Sequence, residues 1–352
     1  MPNLALSQAV FSRRDHEDPV AVVRSPDFGD AWAPEAFDII RGFGDRVDGM
    51  RCPLAVFAQP IGANHVAVVR VKDDVEVAGL WFHFLVVESK AYEAWIRDPF
   101  LLAEKVSPTW DATGPLPTIQ IPQEAFEPRT FAQVQAVLKR IKASALREGE
   151  DPESPDFERT AENSESPALL GGAQILVDGG KLVFERPQGD LRLVSGLWLL
   201  LPEATRLRLW PTSFAFSQDL GFDVLVVPRL DELILENYTT EEQAADYPDG
   251  TYESALQRAV EHGTQQDLDG VFRRRDSHHT IRLAILLLVL VSGLVLLSRW
   301  LDFVVPPVSP VQREKAAAAA GIVAVGEPWT ALGMLVHGNA VWSAEEKKRD
   351  AK

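Results

Sequence analysis

The groups in this 352-residue chain whose types could carry chemistry are a few glycine-rich turns, seven histidines, one cysteine and 51 acidic side chains. Cradling a phosphate needs a glycine-rich turn between a buried strand and a helix, so that backbone N–H groups face the anion. The segment RGFGDR at 41–46 has two glycines but lacks both the third and the preceding strand. No GxxxxGK(S/T) run occurs, which removes P-loop chemistry in its usual form. Gly171-Gly172 and Gly179-Gly180 read as turns, where glycine reaches positive φ without a steric penalty. Only His278 and His279 are adjacent, and neighbours on a helix diverge by about 100°, so they do not chelate as an i,i+4 pair does. His65 and His83 fall in expected strands as ordinary strand residues. Cys52 precedes Pro53 with no recognisable partner, and a single cysteine permits neither an intrachain disulfide nor a thiolate cluster. GxSxG is absent, and most carboxylates lie in polar runs that serve solvation rather than acid–base pairing. No catalytic residue, cofactor site or metal site is assigned on these grounds.

The elements that would have to position any site divide the chain. Residues 1–146 hold the strand-like SQAVFSRR, VAVVRSP, CPLAVFAQPI, HVAVVRVKDD and LWFHFLVVES, rich in Val and Phe with alternating patterns. APEAFDIIRGFG suits a short helix, and KAYEAWIRDPFLLAEKV is helical material broken at Pro99. In RTFAQVQAVLKRIKASALRE, Phe131, Val134, Val137, Leu138 and Ile141 recur at helical spacing. Residues 147–167 form an acidic linker too poor in apolar side chains to offset its ordering entropy. Residues 168–263 are expected to form a second domain. There GGAQILVDGGKLVFERP reads as two strands joined at Asp178-Gly179-Gly180. Asp190 caps the apolar helix LRLVSGLWLLL, TSFAFS and FDVLVVPR read as strands, and YESALQRAVEHG closes the domain as a helix. Mixed elements without regular βα alternation predict an α+β class for both domains.

A basic juxtamembrane segment (264–280), a span (281–301) and a tail (302–352) complete the expected plan. Leu283 to Leu297 are all apolar except Ser292 and Gly293, a composition that favours bilayer insertion by about 5 kcal/mol. Extended to about twenty residues at 1.5 Å each, the run matches the hydrocarbon thickness of about 30 Å. Ile281, Leu283, Leu287, Leu290, Leu294, Leu297 and Leu301 would face lipid in a single-pass transmembrane helix. Arg273, Arg274, Arg275, Arg282, Arg299 and Trp300 would anchor its interfaces. The upstream arginine excess places the front domains in the cytoplasm, at the inner membrane. No GxxxG pattern argues for dimerisation through the span, and nothing sets the oligomeric state.

A net charge of −16 disfavours nucleic acid as a partner. Trp198 and Trp210 read mainly as core residues, and as a protein contact site if exposed. The stretch ALLGGAQILVDGGKLVFE, with LWLLLPEATRLRLWPTSFAF and FDVLVVPR, resembles the middle domain of bacterial GTPase-associated adaptor proteins. QAVFSRRD, VAVVRSPDF and RDPFLLAEK resemble their N-terminal domain, so the similarity runs from about Leu4 to Leu230. It implies a non-enzymatic adaptor or scaffold with a protein partner such as a small GTPase, and carries over no catalytic residues. The alternative is a membrane-tethered enzyme with a site between the two soluble domains.

Overall fold

A computed structural model describes residues 3–145, 166–273 and 285–297, apart from positions 16, 48, 75–78, 111–113 and 249. The chain divides into two units, Met1–Arg282 and Leu283–Lys352. In the first, strands β1 (Asn3–Arg14), β2 (Val20–Arg24), β3 (Ala55–Ile61), β4 (His65–Asp74) and β5 (Gly79–Glu88) form an antiparallel sheet of order β2-β1-β5-β4-β3. β6 (Ile119–Pro122) pairs with the start of β1. The sheet is buried on both faces, which is why its strands read as nearly continuous apolar runs. Val56, Val66, Val68, Leu85 and Val87 join one apolar cluster, and Phe57, Val69, Val71, Phe82 and Phe84 the other. Helix α1 (Trp32–Gly42) covers the second face with Ile39 and Ile40. The chain then passes through α2 (Pro99–Lys105) to α3 (Phe131–Ala145). Val134, Val137, Leu138 and Ile141 of α3 are buried in the first cluster, at the expected spacing.

Residues 166–273 add α4 (Ala168–Val177), β7 (Leu182–Glu185), α5 (Leu191–Leu200), α6 (Glu203–Arg206), β8 (Val224–Val227), α7 (Glu232–Asn237), β9 (Thr239–Thr240), α8 (Glu241–Ala245), α9 (Thr251–His262) and α10 (Gln265–Phe272). Their three strands pair in parallel, in the order β8-β7-β9. This part is α/β, where α+β was expected: α5 lies in the crossover that parallel strands require. Two local expectations also change. Ala168–Val177 is a helix rather than a strand; the nine residues from Ala168 to Leu176, Gln174 included, are all buried, so the segment shows no period to separate the two forms. TSFAFS forms no named strand. Instead, residues 211–215 stitch β3 to β8: Ser213 N donates to Val56 O at 2.9 Å, Thr212 N to Val224 O and Ala215 N to Val226 O, both at 2.8 Å. Both apolar clusters therefore draw on residues from either side of the acidic linker.

In the second unit the described helix, α11, runs from residue 285 to 297 with every side chain exposed, including Leu287, Leu290, Leu294 and Leu297. At 1.5 Å per residue it rises about 20 Å, short of the roughly 30 Å of a hydrocarbon core. No helix among the described residues is long and apolar enough to cross a membrane. The expected single-pass transmembrane helix is corrected accordingly, and so are the inner-membrane location and cytoplasmic orientation inferred from it. Side-chain transfer over residues 283–297 favours insertion, but transfer energies do not by themselves set the length of a helix. Ile281, Leu283, Leu301, Arg274, Arg275, Arg282, Arg299 and Trp300 lie outside the described residues. The fold class is mixed α/β, without a spanning helix among the described residues.

Candidate anion-binding cleft

Beyond β5 the backbone departs from regular geometry. Tyr92–Ile96 forms a π-helical turn, closed by Arg97 N donating to Tyr92 O at 2.9 Å. Such turns are rare and often mark functional positions. Among the described residues Arg97 is the one non-glycine with positive φ, at 55°, in the left-handed region that costs a side chain about 1 kcal/mol or more. Its neighbours hold it there. Trp198 Nε1 donates to Arg97 O at 3.2 Å, and Arg97 Nη1 pairs with Glu203 at 2.9 Å. Asp98 then caps α2, its Oδ1 accepting from Phe100 N at 3.0 Å and Leu101 N at 3.1 Å, with Pro99 in the first turn. Oδ2 accepts from Arg206 Nη2 at 2.9 Å, in a pair almost wholly removed from solvent.

This turn forms one wall of a cleft of about 1130 Å³, whose other walls come from the β3–β4 region, α2, the stretch between residues 123 and 133, α5, α6 and α10. Five arginines line it, Arg70, Arg97, Arg129, Arg206 and Arg273, together with the carboxylates of Asp98, Glu104, Glu124, Glu127, Glu203 and Asp269. Arg70 of β4 is only 3% exposed, and its Nε and Nη2 have no hydrogen-bond partner among the described residues. Burial lowers its pKa to about 10, so it stays cationic at neutral pH. Arg129 Nη1 donates to Leu199 O at 2.9 Å and also to Leu201 O, meeting carbonyls that the end of α5 leaves open. Its guanidinium lies 3.4 Å from the centre of the Phe272 ring, a cation–π contact. Burial, and after it Arg206, lower its pKa to about 9. Arg129 Nη2 and Arg206 Nε are likewise buried without partners. Leaving charged donors unpaired in a low-dielectric interior is costly, so three arginines with such donors in the lining of one cavity mark it as a candidate binding site.

The exposed part of the lining is mixed, with Glu104, Glu124 and Glu127 beside apolar side chains. Leu54, Trp95 and Leu191 belong to it and are 56%, 47% and 38% exposed. Arg273, expected to contact a membrane interface, is exposed at the end of α10 and also lines the cleft. Trp198 is fully buried against Phe100 and is a core residue. Trp210 is half-buried and packs against both apolar clusters, away from the cleft lining. Trp95 was missed because the pattern AYEAWIRDPF shows a helix stop but not which side chain the irregular turn pushes outward.

The chemistry available here is charge pairing and hydrogen bonding. Both Asp98 oxygens are committed to α2 and Arg206. Opposite Arg70 on β5, His83 Nε2 lies 3.0 Å from Gln8 Oε1. Burial, and then Arg70, push its pKa down to about 3, which keeps the imidazole neutral. Among the described residues no group of three His, Cys, Asp or Glu is placed to hold a metal ion. Burial raises the Cys52 thiol pKa well above its ordinary value, so it remains protonated.

The depressed His83 pKa has a pH signature. The unfolded chain takes up the proton near pH 6.5, whereas the folded chain resists it down to about 3. Stability from neutral His83 is thus fully present above about pH 6.5 and declines as pH falls from there towards 3. Urea unfolding of His83→Gln is expected to lose less stability than wild type between pH 7.5 and 4.5; parallel losses would contradict this assignment.

No family model matches the chain, and no curated protein matches it.

Proposed function

We propose that this chain is a non-enzymatic adaptor that receives an acidic, apolar-flanked segment of a protein partner in the cleft. The carrying observation is that exposed Leu54, Trp95 and Leu191 share one cleft lining with buried arginines that carry unpaired donors. Exposed aromatic side chains beside a polar pocket are typical anchors for a protein ligand. The unpaired donors of the buried arginines then favour an acidic group on the segment, placed away from the exposed Glu104, Glu124 and Glu127 of the lining. A small GTPase is the specific partner that the sequence resemblance implies. With a net charge of −16, the molecule cannot attract an acidic partner from a distance. Recognition must therefore come from contacts formed inside the cleft.

A panel of synthetic peptides with Leu or Phe flanked by Asp and Glu tests the proposal, with tryptophan emission as the readout. Acidic members are expected to bind and their lysine-exchanged counterparts are not. Trp95→Ala is expected to weaken binding tenfold or more, or at least about 1.4 kcal/mol. Equal binding of acidic and basic peptides, or unchanged affinity in Trp95→Ala, would overturn the reading.

A further inference from the structure

We infer that Arg70 is the acid anchor of this cleft, presenting Nε–H and Nη2–H side by side to the two oxygens of one carboxylate on the docked segment. The inference rests on the adaptor reading and names the group that reading leaves open. Nε and Nη2 lie on one edge of the guanidinium plane, and their two N–H bonds match the spacing of carboxylate oxygens. In Arg70 these are the two nitrogens without a partner. No carboxylate pairs with Arg70 among the described residues. The one buried carboxylate of the cleft, Asp98, is taken by α2 and Arg206. His83, beside Arg70 in the sheet, meets Gln8 through Nε2, and its ring is neutral, so it does not compete for an anion. Val56 also lines the cleft and is buried, so a pair formed here is poorly screened by water and strengthened by that.

The unpaired donors are closed to water as well as to protein groups. Engaging a carboxylate therefore requires the Arg70 side-chain torsions to change so that the fork reaches the cleft. Relief of an unpaired buried cation favours that movement, and staggered alternatives are separated by small energies.

Melting of the full chain in sodium acetate, against sodium chloride at equal ionic strength, tests this without any partner. Wild type is expected to melt at a higher temperature in acetate. Arg70→Met is expected to melt at or above wild type in chloride, because it removes an unpaired charge, and to show no acetate increment. The difference between the two proteins cancels general salt effects. Arg70→Lys keeps the charge but not the fork and is expected to lose the increment too; it serves if Arg70→Met does not fold. An acetate increment surviving in either variant, or none in wild type, would overturn the assignment. An equal, Arg70-dependent increment in sodium phosphate would overturn its restriction to carboxylates. Failure here leaves peptide docking at Trp95 standing, and failure of the Trp95 test leaves the acetate result standing.

Discussion

Asp98→Ala is expected to lower the unfolding free energy by about 4 kcal/mol or more in urea denaturation. Two losses combine. Removing one partner of a buried ion pair leaves the other charge uncompensated, at about 3–5 kcal/mol, and deleting an N-cap acceptor costs about 1 kcal/mol. Asp98 has both roles, facing Phe100 N and Leu101 N with one oxygen and Arg206 with the other. Asp98→Asn retains a cap acceptor and should fall between wild type and alanine. The decisive comparison is Asp98→Ala with Arg206→Met. Because it also removes the stranded cation, the double variant is expected to be more stable than Asp98→Ala alone. Additive losses would show that the two side chains do not act as a pair.

The second large effect is expected at Gly171→Ala. A Cβ at this position would lie 1.9 Å from Ala244 O and 3.1 Å from its carbonyl carbon. Both atoms are backbone, so no side-chain rotation relieves the contact, and α4 and α8 would have to separate. Overpacking of this kind costs about 1–3 kcal/mol, and the rigid neighbour places Gly171→Ala at the upper end. The contrast is Gly270→Ala within α10, where an added Cβ meets nothing within 4 Å. Higher helix propensity should raise stability there by up to about 1 kcal/mol. Thermal melts of the two variants should move in opposite directions; a tolerated Gly171→Ala would mean that the helices are not held at this spacing.

The same glycine shows where sequence reading runs out. Gly171-Gly172 looked like a turn because paired glycines usually permit positive φ, whereas here Gly171 lets a helix approach the Ala244 backbone and Gly172 makes room for the Leu182 side chain. Val66 to Val71 announced their strand, and Asp190 announced α5, because alternation and capping are local signals. Arg70 in VAVVRVK carried no such signal. Its role depends on Arg129, Arg206 and Asp98, and Asp98 lies 108 positions from Arg206. Trp95 is exposed by an irregular turn that Trp198 and Glu203 hold from another part of the chain. The apolar run near residue 290 was legible as composition, and its described residues, 285–297, are helical.

The seam at residues 211–215 has a bearing on how the chain is made. Val56 N, on the outer edge of β3, donates to Ser213 Oγ at 2.8 Å, 157 positions later. A ribosome adding about 5–20 residues per second needs roughly 8–30 s to cover that distance. Throughout that interval the nascent front half holds an unpaired strand edge and an apolar sheet face still waiting for its cover. Both are templates for mispairing with neighbouring chains. Yield in the cell should therefore depend on elongation speed and on chaperones that shield this edge, as well as on the stability of the finished fold.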